Sequence, residues 1–548
     1  MQHYEESQSF LGTWGPFQKR VFYLLGLAII PSGYNLLCVI FLLATPPHHC
    51  FIPHHSNLSH DWIQASIPVQ QVDGRPERSS CSRYELDQVQ NLSAWGTTLI
   101  HNLSSPQVLL SSLTQEGCRD GWTYSTEHYQ STVVSEFNLV CSDQWKQPLT
   151  SVFYFLGGLL GCFVSGQISD RFGRKPVLFG AIVALSVFSS ALAFASSWPV
   201  FLVLFFMLGL GQLTCYVVVF VLGSEILMGS TRVIFSSLCL PWAYVFGELM
   251  LPVTSYLVRN WRHLSLAMAV PGLACVPLWW LIPESPRWLV SRGRIQEAEL
   301  LLRSAALQNR VEAPHVIFFS AKVEKPTSEQ AESSTFLDLL RTPNIRHITL
   351  ILWFIWFSNN VCYFGLSFNM SSLYGNPFLN YSLLTAVEFP AYAACWLAAR
   401  CLPRRQSYVC FVLLGGARQP VLTLILVLVG KFGLLAGTGV LYMYTSELSP
   451  TVIRTTAMST CAMFSRVGSS VSPYLLQLAG FNQFLPWIVV GALSLLSVVV
   501  CVFLPETFRQ PLPGKEYTDV IVVSCYRNYL NITTNKICFY IFKTTVGT

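Results

Sequence analysis

Eleven apolar runs of about 20 residues dominate this chain, near residues 21–43, 147–166, 176–195, 198–223, 233–257, 262–282, 347–367, 378–402, 421–446, 453–478 and 484–504. A helix rises ~1.5 Å per residue and the hydrocarbon core of a bilayer is ~30 Å thick, so each run can cross it. Inside lipid every backbone N–H and C=O must be satisfied within the spanning structure, which for single apolar runs means a helix. The fold class is therefore all-α and polytopic. With 52% hydrophobic and 11% charged residues over 548 positions, the chain is too apolar for a soluble protein of this size. A net charge of +6 does not signal nucleic acid, because the basic residues gather in loops predicted to be cytoplasmic.

The start of the chain, MQHYEESQ, has no basic segment ahead of the first run. That run is expected to stay as an anchor, with residues 1–20 in the cytoplasm. The polar stretch 44–145 follows, with three N-x-S acceptors at Asn57, Asn91 and Asn102 and four cysteines, Cys50, Cys81, Cys118 and Cys141. Glycan acceptors together with an even cysteine set belong in an oxidising compartment, so this loop is expected outside. Four cysteines allow three pairings, and the sequence does not choose among them. Asn531 lies beyond the last run on the predicted cytoplasmic side and is read as unmodified.

The chain also repeats itself. Glu225 and Arg232 recur as Glu447 and Arg454, and Pro283-Glu284 recurs as Pro505-Glu506, both at an offset of 222. Two six-helix halves related by repetition produce this pattern, with a site expected at their interface near the bilayer midplane. The expected halves are 21–282 and 347–510, joined by a cytoplasmic stretch 283–346 and followed by a tail, 511–548. Arg174-Lys175 has a counterpart in Arg404-Arg405, but at an offset of 230, so the second half is eight residues short. After Arg405 only Tyr408 to Gly416 is apolar before Arg418-Gln419-Pro420, which predicts a ninth helix of about half the ~20 residues needed. Either a variant transcript lacks part of this helix, or Arg418 snorkels and the bilayer thins locally.

The ten residues GQISDRFGRK, Gly166 to Lys175, set an acidic-basic cluster between two glycines and two apolar runs. They resemble the loop between the second and third helices of the major facilitator superfamily, and so imply its fold of two six-helix bundles, nominally twelve spans. FLGTWGPFQ at Phe10, CRDGWTY at Cys118, PESPRWL at Pro283, MYTSELSPTVIR at Met443 and SRVGSSVSPY at Ser465 extend the likeness. Together they resemble the organic ion transporters, and most nearly the organic cation/carnitine transporters. The resemblance implies an alternating-access carrier at the plasma membrane, with carnitine as leading substrate and sodium as a coupling ion. Ser32 stands where that family usually has asparagine, which weakens the sodium inference.

Arg466 lies 12 residues into a span that starts inside, ~18 Å deep, where an unpaired guanidinium is expensive and therefore functional by default. Its planar fork suits a carboxylate, either a substrate's or that of Glu248 on another helix. A quaternary ammonium calls for an aromatic cage. Tyr244, Trp356, Tyr363 and Phe364 are the candidates at comparable depth, with Tyr216 and Tyr442 placed less well. Gln212 faces either the cavity or a neighbouring helix. Lys431, inside the tenth span, either balances an anion or holds a neighbouring helix. Glu248 replaces a tyrosine of the family pattern; its carboxyl is expected to be protonated, to pair with Arg466 or to attract a cation.

For the cytoplasmic gate the sequence suggests Asp170, Arg171 and Arg174 meeting Glu447 and Arg454 across the halves, mirrored by Glu225, Arg232, Glu284 and Arg287, to close the inner face in the outward-open state. The segment RIQEAELLLRSAALQ reads as an amphipathic helix beneath that gate. At Gly223 to Ser230, Met228 and Gly229 occupy the places of the Gly and Lys of a nucleotide loop, so no ATP binding is expected. Neither metal-ligand spacing nor a nucleophile-base arrangement points to an enzyme, a metal or an organic cofactor. Lipid and a small organic ion are the expected partners. The alternatives are an organic anion carrier and a transport-inactive form acting only as an interaction partner, which the weakly charged tail after Pro513 would suit.

Overall fold

A computed structural model describes residues 9–53, 58–72, 75–96, 113–314, 343–369, 375–413, 420–449, 454–478 and 484–507, with Ile317 and Asn482 besides. Twelve membrane segments follow in order. They are α1 (Pro16–Leu36), α2 (Lys146–Phe172), α3 (Arg174–Leu192), α4 (Trp198–Ile226), α5 (Leu240–Leu257) and α6 (Trp261–Cys275) in the first half. The second half holds α7 (Pro343–Asn369), α8 (Pro377–Ala386, continuing as Glu388–Cys401), α9 (Arg404–Leu413), α10 (Pro420–Leu448), α11 (Arg454–Leu478) and α12 (Leu485–Val502). Nine helices among the described residues are long and apolar enough to cross a membrane. α9 is described over 10 residues, ~15 Å of helix, and the expected shortening of the ninth span falls on residues 414–419, which lie outside the described residues.

Local chemistry starts these helices where they start. Proline in the first turn of α1, α4, α8 and α12 sets a helical φ where no N–H is needed. The Asn376 side chain accepts the N–H groups of Phe378 and Leu379, and Asn260 accepts that of Arg262. α5 is preceded by one π-helical turn, Phe235–Cys239, continuous with the short helix Gly229–Ile234. Between α2 and α3 the chain reverses at Gly173, whose φ of +109° suits glycine and whose Cβ, were there one, would press on the Glu284 carboxylate.

The two halves pack alike: α1 lies on α5, α2 on α4 and α3 on α6, while α7 lies on α11, α8 on α10 and α9 on α12. The α1–α5 seam is backbone against backbone, since a Cβ on Gly33 would strike the Tyr244 carbonyl and one on Gly247 the Ile30 carbonyl. Across the halves, α2 meets α11 and α5 meets α8. The outer ends are sealed by rings: Phe41, from the short helix Cys38–Leu42 that prolongs α1, stacks on Phe378 at 5.8 Å and meets Tyr381 at 5.1 Å. Tyr129 and Tyr256 close on the same Phe378, and Phe155 of α2 meets Phe364 of α7 at 4.9 Å.

The loop after α1 is a small domain of three antiparallel ribbons. β1 (His48–Cys50) pairs with a strand at Trp122–Tyr124, β2 (Val69–Val72) with β3 (Arg75–Arg78), and β4 (Ser82–Tyr84) with β5 (Gln115–Gly117). Of the three possible pairings, the disulfides are Cys50–Cys118 and Cys81–Cys141. Asn91 is exposed on the helix Leu86–Gly96, while Asn57 and Asn102 lie outside the described residues, as does the tail with Asn531. The amphipathic segment forms the helix Ile295–Asn309, which docks on the start of α1: Asn309 accepts the Phe17 N–H and donates to Gln18 and the Leu11 carbonyl.

Candidate functional site

The gate residues assemble, but not across the halves. Arg174 donates to Glu225 of α4 at 3.0 and 3.2 Å and to Asp170 at 2.5 Å. Glu284 accepts the backbone N–H groups of Arg174 and Lys175, at the N-terminal end of α3 where an anion is favoured. In the second half Arg404 donates to Glu447 of α10 at 3.1 Å, and Glu506 accepts the N–H groups of Arg404 and Arg405. Arg174 and Arg404 each find a carboxylate within their own bundle, one helix away; the pairing of Asp170, Arg171 and Arg174 with Glu447, expected when the halves close at this end, is not made among the described residues of this structure, which is closed at the opposite end. Arg171 is exposed over the Phe172 ring and Arg287 is exposed, while Arg232 donates to the Leu227 carbonyl. The Arg454 side chain lies outside the described residues. Arg404 and Glu506 belong to the second cluster, a role the duplication itself signalled.

At mid-depth, Arg466 of α11 is half-buried and lies within electrostatic reach of Cys162 of α2 and of Tyr154, Tyr216, Tyr244 and Tyr442. No carboxylate among the described residues lies within 4.0 Å of its guanidinium. Tyr442 is 45% exposed although protein surrounds it, as expected of a wall facing an internal cavity. Tyr216 and Tyr244 meet edge-on at 5.3 Å, and both are half-buried. Tyr244 keeps its expected place near Arg466, and Tyr216 and Tyr442, read as less well placed, share that neighbourhood in place of Trp356, Tyr363 and Phe364. Trp356 is buried behind Tyr442, its indole donating to Thr445, and Phe364 belongs to the outer seal. Counting residues gives depth along a helix but not which way each ring turns.

Gln212 ties helices together. It donates to Tyr244 at 2.8 Å and to the carbonyl and hydroxyl of Ser32, while Ser32 donates to the Gln212 carbonyl. Lys431 also holds a neighbour, its ammonium 2.7 Å from Glu388 of α8 and over the Tyr363 ring, whose hydroxyl donates to the same Glu388 oxygen at 2.9 Å. Tyr363 is therefore part of this buried ion pair, not of the Arg466 cage. Glu248 does not pair with Arg466: it accepts from Tyr381 at 3.0 Å. Sequence reasoning passed over Glu388 and Tyr392, although Glu388 is the single acid in the run 378–402 and so carried a signal. A separate cavity of about 210 Å³ opens nearer the ends of α1, α2, α7 and α11 that face the disulfide-bonded loop, lined in part by Thr45, Gln147, Phe368 and Gln477.

The family model described as sugar (and other) transporter matches residues 110–385. Over 523 residues the chain is 45% identical to the organic cation/carnitine transporter 2 of Homo sapiens, covering 94% of this chain and 93% of that one. It is 43% identical to the solute carrier family 22 member 4 of Mus musculus over 94% of each, and 34% identical to the beta-alanine transporter of Drosophila melanogaster over 92% of this chain and 87% of that one. Among solved structures, the inward-open conformation of the xylose transporter XylE from E. coli gives a TM-score of 0.57, with 93% of this chain and 99% of that one covered at 14% identity. That last likeness concerns the fold alone.

Proposed function

Because the chain belongs to the sugar (and other) transporter family of the major facilitator superfamily, and within it to the organic cation/carnitine transporters, we propose that it carries small zwitterionic organic ions across the plasma membrane by alternating access. It is a multi-pass membrane transporter; the substrate class and the membrane are the proposal. The observation that carries it is Arg466, a guanidinium at mid-depth with no carboxylate of its own among the described residues and tyrosines around it. A substrate carboxylate supplies the missing counter-charge through the guanidinium fork. Tyr216, Tyr244 and Tyr442 offer ring faces to a quaternary or primary ammonium, each worth about 0.5–2 kcal/mol. L-Carnitine joins those two groups in one small molecule, and so does β-alanine, for which one relative is named.

A second reading has its own observation. After Arg404-Arg405 only the nine residues Tyr408 to Gly416 are apolar before Arg418, where about 20 are needed for a full span, and this favours a transport-inactive form. Uptake of radiolabelled L-carnitine into cells displaying the chain, with and without sodium and beside Arg466→Ala, decides between them. Saturable uptake that drops at least tenfold in the variant supports the carrier, and dependence on sodium supports that ion as the coupling partner. Absence of uptake that returns when α9 is lengthened supports the inactive form. Uptake of a dicarboxylate in place of L-carnitine would move the reading to organic anions.

A further inference from the structure

Glu248 stands apart from the other acids of the described membrane core. Glu225, Glu388 and Glu447 each lie against Arg174, Lys431 and Arg404 respectively. Glu248 is fully buried, its Oε1 accepts from the Tyr381 hydroxyl, and its Oε2 has no hydrogen-bond partner among the described residues. The titratable and charged groups that face it are Tyr244 on its own helix, Tyr381, Glu388 and Tyr392 of α8, Lys431 of α10 and Tyr363 of α7. The charge of Lys431 is already held by Glu388, 2.7 Å away. An ionised Glu248 would therefore be a second buried carboxylate beside one already compensated pair, without a cation of its own. Enclosed this way, a carboxyl gives up its charge instead. The alternative, a metal cation, would sit beside the Lys431 ammonium.

The position matters as much as the burial. Glu248 is on α5 of the first half and Tyr381 on α8 of the second, so their bond exists only while the outer ends are together. The aromatic seal of Phe41, Phe378 and Tyr381 lies on that same boundary between the halves. About nine residues of helix, ~14 Å, separate Glu248 from the outer end of α5 at Leu257.

We propose that Glu248 is a proton-binding site, and that a proton taken from extracellular water onto its carboxylate is what allows the outer seal to close over a loaded cavity. Inward transport then carries a proton with the substrate. The coupling rests on the reading of the chain as a carrier; the site does not.

The test has two arms, chosen so that the two ideas fail separately. In the first, infrared spectra of the purified protein in lipid nanodiscs are recorded at neutral pH. The protonated-carboxyl C=O stretch is expected in the unaltered chain and in Glu388→Gln, and to vanish in Glu248→Gln. Tyr381→Phe removes the hydrogen bond to Oε1 and is expected to raise the frequency of that band, which keeps the site testable if Glu248→Gln does not fold. Absence of the band at neutral pH, or its survival unchanged in both variants, overturns the site. In the second arm, proteoliposomes take up L-carnitine with the outside one pH unit more acid than the inside. Accumulation is expected to rise toward the roughly tenfold limit that one proton per substrate sets, and to lose its response to the gradient in Glu248→Gln. Exchange of L-carnitine that ignores the gradient overturns the coupling. If no L-carnitine is exchanged at all, the substrate reading falls and the infrared band alone decides the site.

Discussion

The two charge clusters at the α2–α3 and α8–α9 turns are built from the same parts and finished differently. In the first half Arg174 lies between Glu225 and Asp170, with side-chain exposures of 11% for Arg174 and 10% for Glu225. In the second, Arg404 has Glu447 at 25% exposure, and the position matching Asp170 is Arg400, stacked on the Trp396 ring at 3.9 Å. Glu284 and Glu506 grip the following backbone in the same way in both. Yet the helix that follows has 19 residues in the first half and 10 in the second. The cluster draws only on the ends of the helices it joins. It is a local device of helix ends, and its strength is set by how completely its carboxylates are shielded from water.

That comparison can be broken. Arg174→Ala leaves Glu225 buried without its partner and should cost about 3–5 kcal/mol, seen as loss of surface expression and of a cooperative melting transition. Arg404→Ala should cost less, about 1–3 kcal/mol, because its carboxylate is better solvated. Equal losses in a side-by-side thermal assay would show that shielding is not what separates the two clusters. Lengthening α9 by eight apolar residues after Leu413 should relieve the mismatch by on the order of 1–2 kcal/mol and raise the melting midpoint by a few degrees. No change would mean that the short helix is already accommodated. Asp170→Asn should cost under ~1 kcal/mol, since Asp170 is 68% exposed; a larger fall would make it a full member of the buried cluster.

The smallest effect lies outside the repeat, where Arg262 of α6 clamps Glu136 and position 484 in the second half is Phe. Partial burial pushes the Glu136 carboxyl up, but hydrogen bonds from Arg262 and Trp261 outweigh it and leave the group below its ordinary value. A depressed folded value means the stabilisation is present above the ordinary carboxylate range, ~4.3 for Glu, and is lost as pH falls through the lower folded value. Glu136→Gln should flatten that acid limb in a pH series of melting curves while leaving the neutral region nearly unchanged.

Periodicity and length were enough to find the membrane helices, and the repeat offset alone exposed the short α9. Depth was legible too: Arg466, Gln212, Lys431 and Glu248 all come from the middle of their spans. Azimuth was not. Trp356 and Tyr442 sit at similar depth, but one turns behind the wall and the other forms it. Partner choice within a bundle was hidden for the same reason: nothing in the spacing says that Arg174 reaches Glu225, one helix away, in this state. Glu388 was overlooked because a lone acid in an alanine-rich run looks unremarkable until Lys431 is seen beside it. The disulfide pairing needed the fold of the ribbons, which bring Cys50 to Cys118 and Cys81 to Cys141.

The glycine seam between α1 and α5 has a mechanical consequence. With Gly33 against the Tyr244 backbone and Gly247 against the Ile30 backbone, the glycine faces have no side chains over which the helices could slide past one another at those points. A tilt that draws Glu248 away from Tyr381 must then carry the outer end of α1, and Phe41 with it, away from Phe378. The hydrogen bond at mid-depth and the ring contact at the mouth are bolt and door on one frame, and they open in a single stroke.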